Sequence, residues 1–460
     1  MANWQGKKVV VIGAARQGLA ATRFLARQGA KILLTDSRPE NEFEKIPAEF
    51  KKLPVDLYFG GHPLILLDGV DILCVSGGVP LTIPLIREAR DRKIPITNDS
   101  QIFMESVNAK VIGITGSAGK TTTTILTGAI AKAALEPKIK VWVGGNIGYP
   151  MIDHLEEIKP EDWVVLELSS FQLDQMTISP HIAVILNITP NHLDRHKTMQ
   201  AYTKTKARIL KFQKKSDIAV LNRDDSGSFK LKDTVHGKLV TFGFSDFNQS
   251  DHAIFFEDGY ICWYDGINKN KLVRADLLNL PGKHNLANAM AACAVGAALD
   301  FSAEAMKEGI SSVQGIPHRL ELIMEKNGIR WINDSIATAP ERVMAAIRAL
   351  KAPLVLLLGG RDKDLPWEEL AYLLHEIHPK AILFGEAAGL IHKVLMQVES
   401  GEISYPVWQL DSLDAAVKRA AAIVEKGEVV LLSPGGTSFD AYRDFEARGE
   451  HFRSLVEDLL

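Results

Sequence analysis

The chain has 460 residues, and 53 lysines and arginines against 56 aspartates and glutamates leave a formal charge of −3. At ~150 residues per domain that length suggests about three domains, and 46% hydrophobic with 24% charged residues is ordinary globular composition. Such a balance gives no sign of a nucleic-acid partner, so any polyanion must be met by cations gathered locally beside glycines.

The N-terminal stretch MANWQGKKVVVIGAARQG has only a short apolar run before it turns amphipathic, which reads as neither signal peptide nor membrane span. Cys74, Cys262 and Cys293 are isolated among apolar neighbours, so they read as core residues, and their odd number fits a reducing cytoplasm. A cytoplasmic protein is expected.

The first hundred residues alternate buried strand and helix: KVVVIG, LAATRFLARQ, KILLTD, DILCVSGG, PLIREARDR and PITN. That alternation predicts an α/β, doubly wound parallel sheet. Its first turn, Gly13 to Gly18, lacks the middle glycine of a dinucleotide fingerprint, although Asp36 stands where a ribose-binding acid is expected. NAD, another nucleotide or no nucleotide all remain open on those residues.

A new strand, VIGIT, restarts the pattern near residue 107, followed by KVWVGG, DWVVLELSS, AVILNIT and DIAVLN. A polar, aromatic, β-like region over 236–272 and an alanine-rich helix from Asn285 to Leu299 complete this part. A third unit begins near Gln314 with HRLELIM, IRWINDS, PLVLLLGG, AILFGE and VVLLSPGG. The expected domains are 1–106, 107–313 and 314–460, with no short-period repeat or low-complexity linker.

GITGSAGKTTTT, residues 113–124, runs from a strand into a helix through two glycines, a lysine and threonines. Backbone N–H groups there make an anion nest, and a lysine adds a charge that reaches terminal phosphates. Gly116, Gly119, Lys120 and Thr121 fit that role, with the Thr121 hydroxyl placed for Mg2+. The spacing is shorter than the standard phosphate loop, because Ile114 stands where the first glycine is expected. Glu167, the one charge in WVVLELSS, suits a metal-holding acid, since Mg2+ prefers oxygen ligands. His192 of NITPNHLDRH reads equally as structural or as a ligand. Lys206, on the amphipathic AYTKTKARIL, reads from its neighbours alone as a solvated lysine.

GITGSAGKTTTT, GGNIG, LELSSFQLD, NITPNHLDRH, PGKHNLANA, GIPHRLE, NDS-x-AT, LLLGGRDKD and SPGGTSFDAYRDFEARGEHF follow one another with the order and approximate spacing found in the Mur ligases of peptidoglycan synthesis. The chain resembles that family over essentially its whole length, and most closely the branch that joins D-glutamate to UDP-N-acetylmuramoyl-L-alanine. The resemblance implies three α/β domains: a UDP-substrate domain, a central P-loop-like ATPase domain and a Rossmann-like glutamate domain that closes over ATP. It implies an acyl-phosphate intermediate, with ATP and Mg2+ at two sites. In place of NAD it implies a grip on uridine diphosphate by Gly13, Asp36, Ser37, Arg38 and Ser76, with Asn146 near the acyl region. Gly116, Ser117, Gly119, Lys120, Thr121 and Thr122 would hold the ATP phosphates, Asn285 and Asn288 the adenine end, Arg319 the phosphates and Asp334 the ribose. Thr338, Lys363, Ser438 and Phe445 would take glutamate.

The family also carries a lysine carbamylated by CO2 as a metal ligand, and its Tyr-x-x-x-Lys pattern falls on Tyr202 and Lys206. Lys120, Glu167, His192 and Lys206 would then be the catalytic set, with Thr121, Glu167, His192 and carbamylated Lys206 around the metals. Two positions depart from the family: Ile336 stands for the lysine of NDSKAT, and Gly77 for the proline of SPGVP. The first removes a cation near ATP and glutamate and keeps open ligation of L-glutamate. A P-loop phosphotransferase or NTPase switch is the alternative of another class. No membrane span or nucleic acid is expected, and the single chain is the expected working unit.

Overall fold

Apolar runs of four to seven residues form three separate sheets because each is covered on both faces. The computed structural model describes all residues except 1–2, 44–47, 192, 249–251, 281, 316, 351, 364, 399–401 and 460. The chain divides into two compact units, Met1–Gln314 and Gly315–Leu460.

The first unit opens with β1 (Lys8–Ile12), β2 (Lys31–Asp36), β3 (Val55–Phe59), β4 (Ile72–Val75) and β5 (Ile96–Thr97). They lie in the order β3-β2-β1-β4-β5, all parallel. Period-two alternation explains the double winding. Val9 and Val11 pack with Phe24 and Leu25 on one face, while Val10 and Ile12 pack with Leu85 and Ile86 on the other. The chain order reverses beside β1, so the turns after β1 and β4 open a crevice at the strands' carboxyl ends.

The second sheet of this unit contains β6 (Lys110–Thr115), β7 (Val141–Gly145), β8 (Trp163–Glu167), β9 (Ile182–Ile185), β10 (Ile218–Asn222), β11 (Lys238–Phe242), β12 (His252–Glu257), β13 (Tyr260–Tyr264) and β14 (Lys269–Arg274). Its order is β14-β13-β12-β11-β10-β9-β6-β8-β7. The strands from β7 to β12 pair in parallel, and β12, β13 and β14 pair antiparallel. The turns after β6, β8 and β9 therefore meet at one edge.

The second unit holds β15 (Glu321–Lys326), β16 (Ile329–Asn333), β17 (Leu354–Gly359), β18 (Lys380–Phe384), β19 (Val407–Leu410) and β20 (Val429–Gly435), in the order β15-β16-β20-β17-β18-β19. Only the β15–β16 pair is antiparallel. Leu354, Leu356 and Leu358 enter one core and Val355 and Leu357 the other. The three cysteines are buried and free. No helix among the described residues is long and apolar enough to cross a membrane.

Candidate functional site

The turn after β6 is shaped by a left-handed glycine. Gly119 has φ +82° and caps the helix Lys120–Leu135, a conformation that costs a residue with a side chain. A Cβ there would strike Asn288 Oδ1, so the loop is also pressed from the helix Lys283–Ala298. Asn187, at the end of β9, clamps the loop from below: its Oδ1 accepts from Ala118 N at 2.8 Å and its Nδ2 donates to Ala118 O at 3.1 Å. Ser117 Oγ donates to Thr189 O at 2.9 Å.

Lys120 Nζ folds back on this loop, donating to Gly116 O at 3.0 Å and Ser117 O at 3.3 Å. Thr121 Oγ1 donates to Glu167 Oε2 at 2.9 Å, and Asn146 Nδ2 donates to Glu167 Oε1 at 3.0 Å. Glu167 is 2% exposed. Its burial is tolerated because both carboxylate oxygens are engaged.

Lys206 is the surprise of this unit. The helix Met199–Lys211 buries Tyr202, Thr205, Lys206, Ile209 and Leu210, so the lysine stands one turn after Tyr202 on the inward face and is 1% exposed. This corrects the solvated reading of its local sequence: the face that docks is chosen by Tyr202, Ile209 and Leu210, and Lys206 is carried in with them. Its Nζ donates to Gly116 O at 2.8 Å and Thr115 Oγ1 at 3.3 Å, and lies 4.9 Å from the Tyr202 ring centre. Its pKa is driven down to about 6, first by burial, then by the positive charge of Lys120, with Glu167 opposing. The amine is thus largely neutral at physiological pH.

In the first sheet, Asp36 Oδ2 accepts from Ala14 N at 2.8 Å, and its Oδ1 accepts from Arg38 N and Nε at 3.0 Å each. Burial raises the Asp36 pKa, but hydrogen bonds from Arg38 and Ala14 outweigh it and leave the carboxyl below its usual range. Ser76 Oγ donates to Gly13 O at 3.1 Å, which joins the two turns of the crevice, while Ser37 is exposed. Arg16 Nη2 donates to Asn146 O at 3.4 Å, and Arg195 Nη1 and Nη2 donate to Gly78 O and Val79 O at 3.1 and 2.9 Å. A cavity of about 110 Å³ between these turns is lined by Ser76, Gly77, Phe171, Arg195 and His196 among others.

In the second unit Asp334 is buried after β16, accepting from Ser433 Oγ at 2.9 Å and Leu320 N at 3.2 Å. Its pKa is raised to about 6 by burial, against the pull of those hydrogen bonds and of Arg319 and Arg342. Ser438 is buried and Thr338 partly so. Phe445 opens the helix Phe445–Glu457 capped by Asp444, and its carbonyl accepts from Ser335 Oγ at 2.8 Å. Arg448, 0% exposed, ties Ser335 to Gly436: Nε donates to Ser335 Oγ at 3.0 Å, Nη1 to Gly436 O at 3.2 Å, and Nη2 to Ser335 O and Gly436 O at 2.9 and 3.2 Å.

Three family models fit the chain: a Mur ligase MurD-like N-terminal domain over residues 7–98, a Mur ligase middle domain over 114–296, and a Mur ligase glutamate ligase domain over 318–436. A protein of Pelotomaculum thermopropionicum described as UDP-N-acetylmuramoylalanine--D-glutamate ligase is 38% identical over 458 residues, 98% of each chain. The chain belongs to the Mur ligase family. Relatives of the same description from Symbiobacterium thermophilum and Clostridium perfringens are 37% and 35% identical, covering 98% and 99% of this Mur ligase and 98% and 97% of their own lengths. Among solved structures, UDP-N-acetylmuramate-alanine ligase MurC of Thermotoga maritima aligns with a TM-score of 0.60 at 19% identity, over 99% of this chain and 100% of that one. MurF ligase of the same organism, in complex with ADP, aligns at 0.52 and 20% identity over 99% and 96%.

The structure of this Mur ligase brings Gly116, Ser117, Gly119, Lys120, Thr121, Asn146, Glu167, Lys206 and Asn288 together around one loop. Asn285 joins them through Asn288 Nδ2, which donates to its Oδ1 at 3.3 Å. Thr122 is buried behind the loop, and His192 lies outside the described residues. No cluster of three or more His, Cys, Asp or Glu suited to a metal occurs among the described residues. The Thr121 hydroxyl and Glu167 carboxylate, 2.9 Å apart, are nevertheless a hard-oxygen pair of the type Mg2+ takes when phosphate and water complete its shell. Sequence reading missed Asn187, Arg195 and Arg448. Asn187, a polar residue ending a buried strand beside the phosphate loop, carried a signal; Arg195 and Arg448 did not, because what they hold is backbone far away in sequence.

Proposed function

We propose that this Mur ligase joins D-glutamate to UDP-N-acetylmuramoyl-L-alanine at the expense of ATP, in peptidoglycan precursor synthesis. The observation that carries this reading is Lys206, fully buried and bonded to Gly116 O of the same loop that carries Lys120 and the Thr121–Glu167 pair. The full-length likeness to relatives described as D-glutamate ligases supports the substrate assignment.

An amide does not form at useful yield from a carboxylate and an ammonium group, so the alanine carboxylate first needs a leaving group. Its oxygen attacks the γ-phosphorus of ATP, the β–γ bridge breaks, and ADP leaves an acyl phosphate. The glutamate amine then adds to the acyl carbon, gives up a proton, and expels inorganic phosphate. Crowding of anions is the obstacle. Lys120 and the amides around Gly116 and Gly119 would hold the phosphates, and Thr121 and Glu167 would hold Mg2+, whose charge would offset repulsion between carboxylate and triphosphate.

We assign Lys206 a carbamate. The unprotonated amine attacks the carbon of CO2 and loses one proton, so that a neutral side chain becomes an anion able, with His192, to hold a second Mg2+. Lys120 helps by keeping that amine unprotonated. Asp36, Ser37, Arg38, Gly13 and Ser76 are assigned to the uridine diphosphate group. Arg319 and Asp334 are assigned to the nucleotide, with Asn285 and Asn288 toward its adenine end, and Thr338, Lys363, Ser438 and Phe445 to glutamate. The domains are proposed as 1–106, 107–313 and 314–460.

The test is phosphate release from ATP with UDP-N-acetylmuramoyl-L-alanine and D-glutamate, L-glutamate or no amino acid, with the product mass measured. Release and a ligated product with D-glutamate alone is the expected outcome. Preference for L-glutamate transfers the chain to the other stereochemistry, and turnover indifferent to both overturns the ligase reading.

A further inference from the structure

Gly77 and Gly78 follow Ser76 in the turn after β4, and glycines lose more backbone freedom on ordering than any other residue. The turn's own bonds are few: Ser76 N donates to Ile12 O and Val79 N to Ser76 O, each at 3.0 Å, and Ser76 Oγ donates to Gly13 O at 3.1 Å. The carbonyl oxygens of Gly78 and Val79 take their donors from the other sheet of the unit. Arg195, on the turn after β9, gives Nη1 to Gly78 O at 3.1 Å and Nη2 to Val79 O at 2.9 Å. One planar fork thus meets successive carbonyls and fixes both at once, which an ammonium, a single point of charge, cannot do.

The guanidinium is itself held in place. Its carbon lies 4.6 Å from the centre of the Phe171 ring, and that ring stacks on the His196 imidazole with centres 5.6 Å apart and planes inclined by 3°. His196 Nε2 lies 2.9 Å from Ser170 Oγ. Phe171 belongs to the short helix Ser170–Leu173, closed by a capping box between Ser169 and Gln172, and it also underlies the glycine turn, since a Cβ built on Gly77 would come 3.8 Å from the Phe171 Cβ. Phe171 follows β8 and Arg195 follows β9, the strands on either side of β6. The glycine turn of the first sheet is therefore tied to both neighbours of the strand that carries the phosphate loop.

We propose that Arg195 is a positioning residue for the UDP-linked substrate: by holding the Gly77–Val79 turn against the strands that flank the phosphate loop, it sets the reach between the groups assigned to the uridine diphosphate and those assigned to ATP. This rests on the ligase reading above. One substrate must present its diphosphate to the turns carrying Gly13, Asp36 and Ser76 and its far carboxylate to the phosphate loop, and a loose turn at one end would spread that carboxylate over many unproductive positions. Arg195 acts through the turn and touches no reacting atom. A turn ordered in advance also spares the substrate the cost of ordering it on binding.

The experiment uses the full chain with Arg195→Met, which keeps a stem and loses both donors, and Arg195→Lys, which keeps the charge and reaches one carbonyl. Amide hydrogen exchange is followed over 76–83 and 113–124, and affinities for UDP-N-acetylmuramoyl-L-alanine and ADP are measured by calorimetric titration. In Arg195→Met, exchange over 76–83 is expected to quicken about tenfold with 113–124 unchanged, and affinity for the UDP-linked substrate to fall on the order of tenfold with that for ADP unaltered. Arg195→Lys is expected to lie between. Wild-type exchange over 76–83 overturns the proposal, as does an equal loss of ADP affinity in a variant that keeps its thermal midpoint. A lysine variant equal to wild type overturns it too, because charge rather than the fork would then be responsible. If Arg195→Met does not fold, Arg195→Lys decides alone: quicker exchange over 76–83 supports the proposal and wild-type exchange overturns it. If the wild-type protein binds no UDP-linked substrate, the uridine assignment fails, and the exchange comparison still tells whether Arg195 holds the turn.

Discussion

Among the described residues each unit buries one long cation completely, and the two are treated in opposite ways. Arg448 is surrounded by acceptors: four hydrogen bonds hold it between Ser335 and Gly436, and although burial lowers its pKa to about 10, it keeps its proton. Lys206 has two acceptors and a repelling neighbour in Lys120, and it gives its proton up. The difference follows from the side chains. A guanidinium does not deprotonate at working pH, so it can be buried only where its donors are satisfied, whereas an ammonium can escape the cost of burial by becoming neutral. A cation that must stay charged makes a brace, and one that can become neutral makes a reactive amine.

The largest expected effect is on catalysis. Lys206→Ala should lower ligation by about a thousandfold or more, partly restored by a small carboxylic acid that reoccupies the space with a negative charge. Wild-type rates in that variant, measured by phosphate release, would end the carbamate assignment. Arg448→Met attacks the other member of the pair. It should destabilise the second unit by about 3–5 kcal/mol, because Ser335 O and Gly436 O lose their partner. A shift in denaturation midpoint equivalent to less than about 1 kcal/mol would erase the contrast between brace and reactive amine.

Stability against pH sharpens the contrast further. Lys206 binds its proton at about 6 when folded, against about 10.5 for an exposed lysine. Between those limits the unfolded chain carries more protons, so in CO2-free buffer the Lys206 contribution to stability rises with pH and is level below about 6. Lys206→Met should therefore stabilise the protein by on the order of 3 kcal/mol near pH 7, with the gain shrinking toward pH 10. A midpoint difference that does not vary over this range would contradict the depressed pKa. Arg448 adds no such slope between pH 6 and 9.

A smaller effect of the opposite chemical type is expected at Asp99, 7% exposed, whose carboxyl is raised to about 6 chiefly by burial. Its charge costs stability above pH 6 and the cost disappears below 3.8. Asp99→Asn should thus add about 2 kcal/mol at pH 7.5 and nothing at pH 3.5, by the same midpoint measurement.

The glycine loop was legible because its parts are contiguous: glycine for the left-handed cap, lysine for charge and a threonine hydroxyl that meets Glu167, all within Gly116–Thr121. The parallel strands were legible as apolar runs, since both of their faces are covered. The exposed edge strand β3 was not, because VDLYF buries too little to imprint a period. The β12–β14 meander was read only as β-like, without its pairing. Lys206 escaped its neighbours' pattern because burial of a helix face is decided by what it docks on, and family likeness alone singled it out.

Lys120 and Lys206 share one acceptor, the carbonyl oxygen of Gly116, at 3.0 and 2.8 Å. That sharing couples the charge states of the two side chains. While both amino groups crowd this oxygen, the charge of Lys120 disfavours protonation of Lys206; a triphosphate drawing Lys120 outward would bring negative charge nearby and favour the protonated form. On the carbamate assignment, the enzyme without nucleotide is therefore expected to take up CO2 more readily than the nucleotide-bound one.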